Sequence, residues 1–368
     1  MYLKNLHLLN FKNYHSLELN FSDGINCFVG NNGEGKTNLL DGIYYLSMCK
    51  SYFNFADSQN IRHGEQFFLV KGTFNYKDAD EEIYCGFKLT QGKVFKRNQK
   101  EYSRLSDHIG LLPCVIIAPT DINLVGQGSE ERRRFIDSII SQFDITYLDN
   151  LINYNKAISH RNAVLKKLAQ TRNLEAGEME IWDELIISLG VHIYESRKEF
   201  LQAFVPLFNK YYQLLSGGKE IVGIEYDSHL NDGDFKQILS KAFDKDKALQ
   251  YTSVGIHKDD LVFTINNFQL KKQGSQGQQK TFLIALKLAQ FEYIKNKKNL
   301  KPLLLLDDIF DKLDQSRVEK LMTLVSEDAF GQIFVTDTHP ERIVSIFKQI
   351  NVPVKTFLVK DGEAKMEN

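Results

Sequence analysis

The sequence predicts an α/β fold with a mixed β core, an antiparallel β subdomain beside it, and a helical lobe inserted between two halves of the core. Three observations carry this prediction. Residues 30–37 read GNNGEGKT, a glycine loop with GxxxxGK[ST] spacing, preceded by a strand pattern and followed by a helix pattern, which is the setting a phosphate-binding P-loop requires. Residues 66–97 return to short alternating runs separated by Gly and Asp, the signature of antiparallel hairpins. Between about residues 129 and 216 strand signals vanish and apolar residues recur at intervals of three and four.

In chain order, the first 30 residues alternate apolar and polar positions, as at Leu17, Leu19 and Phe21, and run through Ile25 to Val29 into the glycine loop. Leu39, Leu40, Ile43, Tyr44 and Leu46 then recur at helical spacing. Strand runs follow at 67–76, 82–89 and 93–97. In the helical lobe Leu148, Leu151, Ile152, Ile158 and Leu165 mark the apolar face, but no a/d heptad persists, so its pieces read as too short for a long coiled coil. Strands return after residue 219, and Leu303 to Leu306 form a continuous apolar run of the buried parallel type. The expected division is 1–128, 129–216 and 217–368, with 217–250 open to assignment to the helical lobe. No internal repeat or low-complexity segment interrupts the chain.

A chain of 368 residues with 43% hydrophobic content has ample material for a core. Its 46 basic and 47 acidic residues nearly cancel, so any grip on nucleic acid must come from local patches rather than the overall field. Cys27, Cys49, Cys85 and Cys114 form no CxxC pair, which suggests neither a disulfide framework nor a zinc site and fits a reducing, cytoplasmic setting. No apolar run reaches the roughly 20 residues of a membrane span.

The chemistry follows from residue types. In the loop Gly30, Asn31, Asn32, Gly33, Glu34 and Gly35, continuing to Asn38, backbone N–H groups can wrap the β- and γ-phosphates of ATP. Lys36 neutralises their charge, and the Thr37 hydroxyl is placed to ligate Mg²⁺. Asp307 and Asp308 end the apolar run as a Walker B element would. Asp307 is the candidate Mg²⁺ ligand and Asp308 the candidate general base; a plain capping role for the pair is the alternative. Asp is one methylene shorter than the Glu often found there, which predicts slow hydrolysis. Ser275, Gln276, Gly277 and Gln278 open a helix that continues through Phe282, Ile284, Leu286 and Phe291, and this start is either an ordinary N-cap or a phosphate site.

With these elements in order, the chain resembles the ABC-type ATPase heads of the SMC-like family, and more narrowly the RecF family of bacterial recombination mediators. The resemblance rests on Asn10 to Tyr14, the loop continuing as Asn38-Leu39-Leu40, Pro119-Thr120-Asp121, Arg132 to Asp137, His160-Arg161-Asn162, Gly255 to Asp260, and SQGQQ followed by Lys280-Thr281. It implies an ABC-type P-loop ATPase head in which Ser275 of one subunit completes the site holding Lys36 of another, giving an ATP-dependent homodimer that works as a clamp. It further implies binding to double-stranded DNA beside single-strand gaps, without sequence preference, together with RecO and RecR to promote RecA loading, and no membrane partner. It also implies a D-loop at Asp311 to Asp314, with Asp314 at the partner subunit, a switch histidine at His339, and a phosphate contact from Lys12, for which an exposed surface lysine is the alternative. Lys280 stands where Arg is usual, and Ile256-His257-Lys258 where Pro-His-Arg is typical, which keeps charge but loses the bidentate guanidinium.

For DNA the patches are Arg132, Arg133 and Arg134, and Lys297 with Lys298. Neither has interleaved aromatics, so backbone contact to duplex is expected over base stacking. Asn155-Lys156 continues as Ala157-Ile158, so the guanine-reading motif of GTPases is missing. An ATPase subunit of a transport or other SMC-like assembly is the alternative reading.

Overall fold

The computed structural model describes residues 1–171, 177–218, 220–309, 315–326, 330–339, 341, 347 and 352–367. The chain opens with β1 (Tyr2–Phe11), β2 (Tyr14–Asn20) and β3 (Ile25–Val29), then α1 (Lys36–Met48). β4 (Phe67–Tyr76), β5 (Ala79–Lys88), β6 (Gly92–Arg97), β7 (Lys100–Glu101) and β8 (Cys114–Ile117) follow. Next come α2 (Asn123–Gly126), α3 (Ser129–Ile140), α4 (Ile145–Thr171), α5 (Glu178–Ser216), β9 (Val222–Asp227), α6 (Phe235–Lys241) and α7 (Phe243–Leu249). β10 (Asp260–Ile265), β11 (Phe268–Gln269), α8 (Leu270–Gln273) and α9 (Gln276–Lys298) lead to β12 (Leu303–Leu306), α10 (Gln315–Ser326), β13 (Ile333–Asp337), β14 (Val354–Lys360) and β15 (Glu363–Met366).

These elements form two compact units. The first holds Met1–Ile122, Tyr211–Gly218 and Gln276–Asn368; the second holds Asn123–Lys210 and Lys219–Ser275. The first division falls after Ile122 rather than at 128, and the second unit, apart from Tyr211–Gly218, runs on to Ser275 rather than ending at 216 or 250. The cause is pairing: β10 is zipped antiparallel to β9 and packs against α3, which holds these strands with the helical unit.

In the first unit a six-stranded sheet runs β15-β14-β3-β13-β12-β8. β8, β12, β13, β3 and β14 are parallel, and β15 is an antiparallel edge. Every residue of β3, β8, β12 and β13 is buried, as a sheet covered on both faces demands. Phe28 stacks on Phe334 at 6.2 Å, and Phe21 meets Phe334 edge-on at 4.9 Å and Phe357 at 5.8 Å, so rings from the first, last and penultimate parallel strands lock together. A second, antiparallel sheet runs β2-β1-β4-β5-β6-β7, with strict alternation along β4 that turns Phe68, Val70 and Phe74 inward. The two-residue turn Asn98–Gln99 takes left-handed φ at both positions, the geometry that matches hairpin twist.

The second unit pairs α4 with the first part of α5 antiparallel: His160 stacks on Trp182 at 4.4 Å, Arg161 bonds Asp183 and Lys167 bonds Glu178. At 27 and 39 residues these helices are longer than the missing heptads suggested. Buried ion pairs join an apolar contact of Val164, Leu165, Met179 and Trp182 in fixing them. Arg197 reaches Asp137 at 2.9 Å and Asp259 at 2.8 Å, while Arg161 reaches Asp246 at 2.6 Å. A three-stranded sheet, β11-β10-β9, completes this unit. Among the described residues no helix is long and apolar enough to cross a membrane.

Candidate functional site

The loop of residues 30–35 leaves the end of β3 and enters α1 at Lys36. Its backbone is braced from neighbouring elements. Asn13 Nδ2 donates to the Glu34 carbonyl at 2.9 Å, the Tyr14 hydroxyl donates to the Gly35 carbonyl at 3.0 Å, and the Asp361 N–H donates to Glu34 Oε2 at 2.5 Å. Asn38 Nδ2 in turn donates to Asn13 Oδ1 at 2.8 Å. Two glycines are obligatory. Gly30 has φ +153° and a Cβ there would lie 2.2 Å from the Val359 carbonyl oxygen; Gly35 has φ +112° and a Cβ 2.3 Å from Asn13 Nδ2.

Lys36 Nζ donates to the carbonyls of Gly30 at 2.7 Å and Asn31 at 2.8 Å, so the ammonium sits inside the loop's curve. Burial pulls its pKa down, and the charges of Asp308 and Asp307 work against that pull. Thr37 Oγ1 donates to Asp307 Oδ1 at 2.9 Å and lies 3.1 Å from Oδ2, bringing together two residues 270 positions apart. The Thr336 hydroxyl also donates to Asp307 Oδ1, and accepts from the Asp308 N–H, both at 2.9 Å. Burial raises the Asp307 pKa, and the hydroxyls of Thr336 and Thr37 pull it back. Asp308 follows in the left-handed region at φ +47°, a conformation uncommon outside glycine and found at functional turns.

α9 begins at Gln276, directly after Ser275. Gln276, with Gln279 and Lys280, lines a cavity of about 460 Å³ that Asp307 and Asp308 also line. Gly277 accepts at its carbonyl from Thr281 Oγ1 at 2.8 Å. A second cavity, of about 860 Å³, opens beside Thr37 and Asn38 and is walled by Lys12, Phe53, Arg62 and His63. Lys12 is not an exposed lysine: its Nζ pairs with buried Asp41 at 2.6 Å and lies 5.3 Å from the Phe53 ring.

Other expected residues are placed differently. Arg132 is buried, bonds both oxygens of Asp260 at 2.6 and 2.9 Å, and donates to the carbonyls of Leu124 and Gln127. It is thus removed from any DNA surface, because its charge is consumed in tying α3 to β10. Arg133 donates to Ser129 Oγ and to the Asp259 carbonyl, and burial lowers its pKa. Arg134 is exposed and pairs with Glu130 and Glu131 on its own helix. Lys297 is exposed over the Tyr293 ring at 5.7 Å, whereas Lys298 is partly desolvated, which lowers its pKa. His339 is exposed, with its backbone N–H bonded to Asp337 at 2.7 Å. Asp314 and the rest of the expected D-loop lie outside the described residues. Asn13 and Tyr14 entered the sequence reading only as part of the resemblance at Asn10 to Tyr14, with no role assigned, and Thr336 and the β14–β15 hairpin had none; the signals for them were a hydroxyl at a strand end and an Asn-Tyr pair at a turn.

A phosphate loop at the edge of a parallel sheet, a carboxylate pair on the neighbouring strand, an antiparallel subdomain and a helix opening in SQGQQ define an ABC-type P-loop ATPase head. Residues 2–365 match the family described as RecF/RecN/SMC N terminal domain. The chain is 50% identical to the DNA replication and repair protein RecF of Flavobacterium johnsoniae, over 97% of this chain and 99% of the relative. It is 49% identical to RecF of Phocaeicola vulgatus, over 99% and 98%. A solved structure described as the recombination mediator protein RecF-ATP in the RecFOR pathway superposes with a TM-score of 0.90 at 30% identity, covering 100% of this chain and 98% of that one. The Smc head domain of Pyrococcus furiosus shares the fold, with a TM-score of 0.57 at 18% identity. The chain belongs to the RecF family of DNA replication and repair proteins.

Proposed function

We propose that this chain is an ATP-switched recombination mediator that clamps duplex DNA near single-strand gaps in the cytoplasm, and acts with RecO and RecR to promote RecA loading at stalled replication forks and in the SOS response. The observation that carries the reading is the meeting of Thr37 and Asp307 at 2.9 Å beside Lys36. A hydroxyl and a carboxylate are the hard oxygen donors Mg²⁺ takes, and the loop with Lys36 fits a triphosphate. ATP with Mg²⁺, when bound, supplies the negative charge that a second subunit's helix terminus can read.

In this reading Lys36 holds the β- and γ-phosphates, while Thr37 and Asp307 hold Mg²⁺. Asp308 orients the attacking water, and its short side chain keeps turnover slow. Ser275 to Gln278 of one protomer close over the loop of its partner, so ATP drives dimerisation. His339 and Asp314 serve that closed state, and Lys12 faces the phosphates from the neighbouring cavity. Arg134 and Lys297 are the accessible basic residues that meet the DNA backbone, so affinity falls steeply with salt. The relatives' names, RecF and the RecFOR pathway, support the partners.

The experiment is sedimentation of the protein with ATP, ADP or neither, with and without gapped duplex. ATP alone should produce dimer, gapped DNA should raise hydrolysis, and Lys36→Ala should abolish both. Asp308→Asn should keep ATP binding and lose turnover. An ATP-bound monomer indifferent to DNA would defeat the reading.

A further inference from the structure

The cavity beside Thr37 and the cavity beside Asp307 are joined by a chain of buried charges. Lys12, in the wall of the first, pairs with Asp41 of α1 at 2.6 Å, their side chains 9% and 0% exposed. Asp41 Oδ1 accepts from the Tyr52 N–H at 2.7 Å, and Oδ2 accepts from Ser51 Oγ at 2.6 Å. The Tyr52 hydroxyl donates to Asp121 and accepts from Lys287 Nζ at 3.0 Å. Asp121 pairs with Lys287 at 2.8 Å, both side chains 4% exposed, and its other oxygen holds the Ala118 N–H at 2.8 Å. Asp121 lines the second cavity with Asp307 and Asp308, and Lys287 belongs to α9, whose first turns carry Gln276, Gln279 and Lys280 into it.

Four buried charges in one line are costly to assemble and unnecessary for packing alone, since apolar replacements fill a core at least as well. What the line provides is dependence. Two cations and two carboxylates alternate with a tyrosine that is donor to one and acceptor from the other, so moving any member leaves its neighbour uncompensated in low dielectric.

We propose that Asp121, Tyr52 and Lys287 are positioning residues that make the setting of α9 depend on what Lys12 meets in the cavity beside Thr37. Drawing Lys12 toward an anion loosens its hold on Asp41, which resets Tyr52 and the Asp121–Lys287 pair and so turns the helix that begins with SQGQQ. The inference rests on the ATP reading above.

The test is hydrogen exchange across residues 276–298 with and without a slowly hydrolysed ATP analogue, alongside the analogue's Kd. In the unaltered protein the analogue should slow exchange there at least tenfold. In Asp121→Asn/Lys287→Met, which removes both charges together, Kd should stay within threefold while the slowing falls below twofold; Lys287→Arg alone, with Asp121 intact, should keep the full slowing. Tyr52→Phe, which leaves every charge paired, should cut the slowing at least threefold, and decides the matter should the double variant fail to fold. Unchanged slowing in the double variant or in Tyr52→Phe overturns the proposal, as does a tenfold loss of affinity in the double variant, which would put the pair in the binding site itself. An unaltered protein that binds no analogue overturns the ATP reading and this proposal with it.

Discussion

Both units bury apolar side chains and ion pairs, but they are centred differently. The first is centred on apolar strands and a cluster of phenylalanine rings from β3, β13, β14 and the residue before β3's turn. The second is centred on Arg161 and Arg197, each 1% exposed or less at the side chain and each held by two carboxylates. An apolar sheet tolerates loss in proportion to the volume removed. A buried ionic cluster fails abruptly when one member goes, since the partner's charge is left in low dielectric.

The sharpest way to break this contrast is Arg197→Met. It strands Asp137 and Asp259 and should cost about 4 kcal/mol in the second unit. The sequence's single tryptophan, Trp182, lies in that unit, so its fluorescence in a denaturant titration reads the loss directly. Leu305→Ala in fully buried β12 should cost about 3 kcal/mol in the first unit, seen as faster hydrogen exchange in β3 and β12 with the Trp182 transition little changed. Loss of the tryptophan signal at the same denaturant concentration in both variants would show that the units unfold as one.

Acid should act on both units alike. His108 in the first and His257 in the second are buried and neutral, pushed down to about 4 by desolvation, the backbone carbonyls of Leu46 and Thr252 opposing. Unfolded histidine binds its proton near 6.5, so the stabilisation is whole above that pH and is lost as pH falls toward 4, by up to about 3 kcal/mol for each residue. His257→Gln should flatten the fluorescence-detected slope between pH 6.5 and 4, while the slope of β12 exchange persists. The smallest effect belongs to Arg134→Ala: its pairs with Glu130 and Glu131 are 46% exposed on the arginine side, and water and salt leave them within about 0.5 kcal/mol.

What could be read in the sequence was whatever is local. The 67–76 strand, the buried run of β12 and the loop between β3 and α1 each follow from spacing within a dozen residues. The ABC-type fold was legible through short motifs in the right order. Lys12 and Arg132 were not, because a lone cation looks solvated until its carboxylate is known, and Asp260 lies 128 residues from Arg132. Thr336 escaped for the same reason: its bond to Asp307 spans 29 residues and two parallel strands. Resemblance carried the signature segment, whose helix start has no chemical specificity by itself.

β3 sits between β13 and β14, so the strand that ends in the phosphate loop has no parallel neighbour until roughly 300 further residues have been made. At about 5–20 residues per second of synthesis, five buried residues ending in an anion-binding loop wait on the order of tens of seconds for their partners. The antiparallel hairpins and the ionic unit can each close from contiguous chain in that interval. The candidate site is therefore the last part of the molecule to exist, and a chain truncated before β13 has the loop's sequence without the sheet that shapes it.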